Sequence, residues 1–255
     1  MKSIKTFWLG NPTIERNGNV VNLETRKAVA LLAYLGLSSP TPISREYLAT
    51  LFWPEFDQQH ANANLRRTLY SINRDLEPDF ITGNRENIMI NSVCLFWQDV
   101  CEFRQLLTSV KSHNHERIVC AECISNLEKA TTFYRGGFLE GFNLRDSPEF
   151  DQWQYSHREN LFLEFSFCLE KLTLAYASIG DWEKAIQKAR NWVNLDPLNE
   201  KAQQTFIKLY VQTGQRSAAL HQFEEYSRVL NEELGQSPDD EMLAFYQEIR
   251  SGKTK

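Results

Sequence analysis

The sequence predicts a mainly α protein in two parts, a small α+β domain over residues 1–99 and an all-α repeat domain over residues 100–250. Three observations lead there. Short alternating apolar runs flank three helical segments at the start of the chain. Beyond about Asp99 nearly every segment carries the helical period, and one stretch recurs 34 residues later. At 255 residues and 42% apolar content, the chain has enough material for two modest cores.

The first strands are read in Ile4, Phe7 and Leu9, then Val20, Val21 and Leu23, around the turn signals Gly10-Asn11-Pro12 and Asn17-Gly18-Asn19. A helix follows from Thr25 to Leu37. After the Pro40-Thr41-Pro42 break, Ser44 is placed to cap a second helix, because its hydroxyl can accept from the unpaired N–H groups of a first turn. That helix stops at Trp53-Pro54, since proline cannot continue it. A third helix runs from Gln58 to Leu76. Alternation then resumes with Phe80, Ile81, a loop over residues 83–87, Ile88 and Ile90, and a last strand through Val93, Leu95 and Trp97. Strands, three helices and a hairpin form the order of a winged helix-turn-helix.

In the second part, Gly180-Asp181-Trp182-Glu183-Lys184-Ala185-Ile186 is echoed by Gly214-Gln215-Arg216-Ser217-Ala218-Ala219-Leu220, and Tyr176 maps onto Tyr210. A period of 34 with a small-residue turn, Ala at a fixed offset and Pro197 at the end of a second helix is the tetratricopeptide pattern. Such repeats bury their apolar faces only by stacking, so three or more helix pairs are expected, with Ile124–Tyr134 and Met242–Ile249 as flanking helices. Phe162, Phe165, Leu169, Leu172, Tyr176 and Ile179 share one face of a further helix.

The third helix carries the candidate chemistry. At 100° per residue, Leu65, Leu69, Ile72 and Leu76 form a buried stripe, and Arg67 and Arg74 fall opposite it. Asn64, Tyr70 and Ser71 lie around them, with Arg66 and Asn73 on the flank. Between Asn62 and Arg74 there are three arginines, three asparagines and no acid. This supplies charge for phosphates and bidentate groups for base edges. With Arg85 in the hairpin loop, these residues form the candidate DNA-binding set. A merely solvated basic face is the alternative, and the position of the helix before a hairpin favours DNA. The overall charge of −5 does not oppose this, because residues 1–100 hold ten basic and ten acidic side chains and the whole excess lies downstream.

Several further motifs are specific. They are Thr25-Arg26-Lys27-Ala28 through Leu35, Ile43-Ser44-Arg45-Glu46, Leu51-Phe52-Trp53-Pro54 and Ala63-Asn64-Leu65-Arg66-Arg67-Thr68-Leu69-Tyr70. In the second part they are Tyr134-Arg135-Gly136-Gly137-Phe138-Leu139, Leu195-Asp196-Pro197-Leu198 and Glu232-Glu233-Leu234-Gly235. With these the chain resembles the SARP-type transcriptional activators, an OmpR-like winged helix joined to a bacterial transcriptional activator domain of tetratricopeptide-like repeats. The resemblance implies binding to direct repeats in double-stranded promoter DNA through the third helix, self-association on that DNA, and contact with RNA polymerase.

His113-Asn114-His115 and Cys120-Ala121-Glu122-Cys123 offer four ligands of the kind a closed structural zinc site uses. A polar loop followed by a helix with one buried cysteine is the other reading. No cofactor is otherwise required. Cys94, Cys101 and Cys168 sit among apolar residues and read as small core hydrophobes. Phosphate-loop, dinucleotide, nucleophile-elbow and zinc-protease motifs are missing, so no enzyme is expected. Gly136-Gly137 is read as a helix stop. The longest apolar run, Ala28 to Leu37, is about half a bilayer span, and Met1-Lys2-Ser3-Ile4 has no signal-peptide layout, which predicts a cytoplasmic chain without a membrane partner. The competing function is a repeat-type protein-interaction adaptor.

Overall fold

The computed structural model describes residues 3–113 and 120–252. The elements run β1 (Ser3–Phe7), β2 (Thr13–Arg16), β3 (Asn19–Val20), α1 (Arg26–Ser38), β4 (Ile43–Ser44), α2 (Arg45–Phe52), α3 (Gln58–Asp75), β5 (Ile81–Gly83), β6 (Asn87–Ile90) and β7 (Leu95–Gln98). Among the described residues seven helices follow: α4 (Asp99–Ser112), α5 (Ala121–Phe133), α6 (Pro148–Ser178), α7 (Trp182–Leu195), α8 (Glu200–Gln212), α9 (Arg216–Leu234) and α10 (Asp240–Ser251). Two compact units form, Met1–Leu106 with Thr132–Leu163, and Leu107–Thr131 with Glu164–Lys255. They are interleaved along the chain, whereas the sequence reading places one cut after residue 99.

In the first unit the expected elements form for the expected reasons. Thr25, Ser44 and Asp57 cap α1, α2 and α3, each side chain accepting the N–H three residues on. The helices bury one face each, with Leu31, Leu32 and Leu35 from α1, Leu48 and Phe52 from α2, and Leu65, Leu69 and Ile72 from α3. The strands form two sheets. One has the order β4-β6-β5 and is antiparallel, with Ile43 opposite Ile88 and Ile81 opposite Ile90. The other has the order β3-β2-β1-β7, and β7 joins it parallel to β1, with Ile4 opposite Phe96. The last strand therefore leaves the hairpin that precedes it and returns to the first strand of the chain.

One carboxylate marks the point where β1 ends and α4 begins. Asp99, 1% exposed, accepts the backbone N–H groups of Trp8 at 2.8 Å and Leu9 at 3.0 Å, and that of Val100 at 2.8 Å. Arg135 reaches it at 3.2 Å. Burial raises its pKa, while these donors pull the other way. Beside it, Gln98 donates to the Gly36 carbonyl at 2.9 Å and accepts from the Trp8 indole at 3.3 Å.

The segment 135–140 is more than a helix stop. Arg135 donates to Leu9 O, Gly10 to Gly137 O, Leu139 to Trp8 O and Glu140 to Gly10 O, at 2.8–3.3 Å, so it lies against residues 8–10 as an extra antiparallel partner. The first half of α6 then covers α2. Phe150 meets Phe52 at 5.5 Å and Trp153 at 5.3 Å, and Ser147 donates to the Leu51 carbonyl at 2.6 Å.

The second unit shows the repeat in its backbone. Asp181 N–H donates to Tyr176 O at 3.0 Å and Gly180 N–H to Ala177 O at 3.2 Å; 34 residues on, Gln215 donates to Tyr210 O at 2.8 Å and Gly214 to Val211 O at 3.0 Å. Both glycines are left-handed, φ 78° and 73°, a conformation a side chain would strain. Ala185 and Ala219, both fully buried, let neighbouring helices approach. Trp192 of α7 donates to Ser166 of α6 at 2.7 Å, and Lys188 of α7 and Tyr176 of α6 both bind Glu128 of α5, at 2.6 and 2.8 Å. Two details differ from the sequence reading. Ile179 is 59% exposed, beyond the last turn of α6, and among the three cysteines expected in cores only Cys168 is buried while Cys101 is exposed.

Replacing Asp99 with Ala should lower the urea midpoint of the first unit by an amount equivalent to about 3 kcal/mol, since it strands buried N–H donors. Asp99→Asn, which keeps an acceptor, should recover part of that; tryptophan fluorescence reports both. His157 gives a pH signature. Burial first, then Arg104, lowers its pKa below the ordinary 6.5, and its buried Nδ1 has no partner among the described residues. A depressed histidine contributes stability that is complete above the unfolded value and lost as pH falls through the folded one. Unfolding between about pH 7 and pH 5 should therefore show a stability loss that His157→Phe removes.

Candidate nucleic-acid interface

α3 stands beside the β5–β6 hairpin, and a groove runs between them. It is lined from α3 by Asn62, Arg66, Tyr70 and Asn73, from the hairpin by Thr82 and Arg85, and from the start of α2 by Arg45. The hairpin is held in place on both sides. The Asn73 amide accepts the Ile81 N–H at 2.8 Å and donates to the Ile81 carbonyl at 2.9 Å. Arg45 donates through Nε to the Asn84 carbonyl at 2.7 Å and through its backbone N–H to Glu86 O at 2.8 Å. Inside the tip, the Asn84 side chain accepts the N–H groups of Glu86 and Asn87, each at 2.8 Å. Gly83 is required there, because a Cβ would run into the Asn87 carbonyl of the facing strand.

The outward side of α3 is a stripe of Gln59, Arg66, Arg67, Tyr70 and Arg74, all exposed. Tyr70 is 70% exposed, more than a packing aromatic would be. Arg66, Arg67 and Arg85 enter no ion pair among the described residues, so their charge is open to a ligand. The other predicted residues divide differently. Arg74 is held by Asp75 at 2.7 Å and by Glu24 at 3.3 Å. Ser71, placed outward by the helical wheel, is 8% exposed and donates to Glu24 at 3.0 Å. Asn64 is half-buried away from the groove, and Asn73 is committed to the hairpin.

Sequence reasoning missed Arg45, Asn62 and Thr82 as groove residues. Arg45 follows the α2 cap, a position that could have signalled it. Acids missing from the middle of α3 are present in space, since Glu46, Asp79 and Glu86 also line the groove. The groove is thus balanced in charge, with Arg45, Arg66 and Arg85 against Glu46, Asp79 and Glu86, and Arg67 adds a further unpaired cation on the outward side of α3.

A second cluster lies in the other unit. His113, just past α4, and Cys120 and Cys123, at the start of α5, bring Nδ1 and two Sγ atoms within 4.8 Å of one another. Nδ1 is 3.7 Å from Cys120 Sγ and 3.2 Å from Cys123 Sγ. The Cys123 N–H and the His113 ring draw the Cys120 thiol down to about 7, while burial and its neighbour push Cys123 up to about 11. His115 lies outside the described residues.

Among the described residues no helix is long and apolar enough to cross a membrane. The family described as bacterial transcriptional activator domain matches residues 98–250. No curated protein matches the chain. Among solved structures the chain is similar to EmbR of Mycobacterium tuberculosis, determined in complex with a low-affinity phosphopeptide, at 18% identity and a TM-score of 0.70. That similarity covers 99% of this chain and 66% of the other, and it is a likeness of fold. The family match covers residues 98–250, more than half of the chain, and the chain belongs to the bacterial transcriptional activator domain family.

Proposed function

We propose that the chain is a sequence-specific DNA-binding regulator in which α3 enters the major groove and the β5–β6 hairpin meets the adjoining backbone. The observation that carries this reading is the outward stripe of α3, where two unpaired arginines flank an exposed tyrosine on a helix held at a fixed spacing from its hairpin. Arginine reads guanine edges bidentately or neutralises phosphates, and the tyrosine hydroxyl can donate to phosphate oxygens. On this reading Arg66, Arg67 and Tyr70 face DNA, Arg85 binds backbone from the hairpin, and Asn73 and Ser71 position the helix. Arg74 is partly spent on Glu24 and Asp75. The overall acidity of the chain lies outside this surface.

The partners that fit are double-stranded promoter DNA with direct repeats, a second copy on the neighbouring repeat, and RNA polymerase. The protein would then act as an activator in the cytoplasm, with no catalytic step of its own.

Genome-wide recovery of fragments bound by the full chain should enrich a repeated promoter motif. In titrations on that motif, Arg66→Ala and Arg67→Ala should each cost about 1–3 kcal/mol where the side chain reaches a base, and Arg85→Ala should weaken all sequences alike and flatten the salt dependence. Arg74→Ala should cost less than either. A triple Arg66/Arg67/Arg85 variant that binds as the wild type does would remove this surface from consideration, and no enrichment at all would favour the adaptor reading.

A further inference from the structure

The His113, Cys120 and Cys123 cluster is not among the residues of the proposed DNA surface, and its geometry is that of a ligand set. In a tetrahedral zinc site with bonds of about 2.3 Å to sulfur and about 2.0 Å to nitrogen, neighbouring ligand atoms lie about 3.5–3.8 Å apart. Here the nitrogen-to-sulfur separations are 3.7 and 3.2 Å and all three atoms fall within 4.8 Å, so one ion placed among them needs only small side-chain shifts. The three atoms come from two different elements: His113 follows the last turn of α4, Cys120 precedes α5 and Cys123 lies in its first turn.

The chemistry of the donors is selective. Two thiols and an imidazole suit a thiophilic cation and not magnesium or calcium. Cys123 is fully buried, which places one vertex away from water, while His113 is exposed. With three protein ligands the fourth vertex is left for water or another donor.

We propose that His113, Cys120 and Cys123 bind one zinc ion that clips the end of α4 to the first turn of α5. Binding releases the thiol protons to solvent and changes no oxidation state.

The test uses the full chain, expressed with zinc, purified under reducing conditions and dialysed. Elemental analysis should find one zinc per chain, and a thiol-binding mercurial should release it to a chromophoric chelator. Cobalt(II) added to the stripped protein should give thiolate charge-transfer absorption together with the visible bands of a tetrahedral ion. Cys120→Ser/Cys123→Ser should lose both signals, and His113→Ala should lose most of the zinc, while circular dichroism stays as in the wild type. Should a variant misfold, the mercurial release and the cobalt spectrum of the wild type decide by themselves. A wild-type chain that holds no metal and gives no charge-transfer band overturns the proposal. So does a Cys120–Cys123 disulfide found in place of metal, or zinc retained undiminished by the double cysteine variant.

Discussion

A single buried carboxylate organises the first unit. Asp99 receives the backbone N–H groups where β1 runs out, caps the start of α4 through Val100, and meets the guanidinium of Arg135. Burying a charge is costly unless hydrogen bonds and a counter-charge surround it, and here both are present. The arrangement constrains everything near it. β7 must lie beside β1 to deliver Asp99 to Trp8, and that parallel pairing places Gln98 against Gly36 of α1 and the Trp8 indole. The scaffold on which α3 stands is thus fixed by polar contacts as much as by its apolar core.

Local features were legible in the sequence, while partners distant along the chain were not. Ser44 was expected to cap α2, and it does, because a capping bond needs only residues three apart. Leu65, Leu69 and Ile72 form the buried stripe for the same reason, since helical period alone determines it. Strand β7 also reads as a strand from Leu95 and Trp97, but nothing in those residues says that its partner is β1 and not the adjacent hairpin. Likewise Gly136-Gly137 reads as a stop, and its pairing with Gly10 becomes visible only in space.

The candidate DNA surface shows the same limit. A helical wheel separates inside from outside on one helix but knows nothing of what lies over it. Glu24 comes from the loop before α1 and covers the side of α3 that holds Ser71 and Arg74, so two residues with outward angles are drawn into a polar contact. Arg66, Arg67 and Tyr70 keep the exposure that the wheel assigns them because nothing comparable covers them. The three thiol and imidazole groups were visible as a spacing pattern, and only the structure brings their atoms to a common point.

The pairing of residues 135–140 with residues 8–10 changes what counts as the first domain. A fragment ending near residue 99 would contain every strand and helix of a winged helix and still lack the segment that satisfies the Trp8, Leu9 and Gly10 backbone. It would also expose Phe52 to water, because Phe150 and Trp153 cover that region from α6. During synthesis the N-terminal unit therefore cannot complete its hydrogen bonding until some forty residues beyond β7 have left the ribosome. Its folding is timed by sequence that, in linear order, belongs to the helical region.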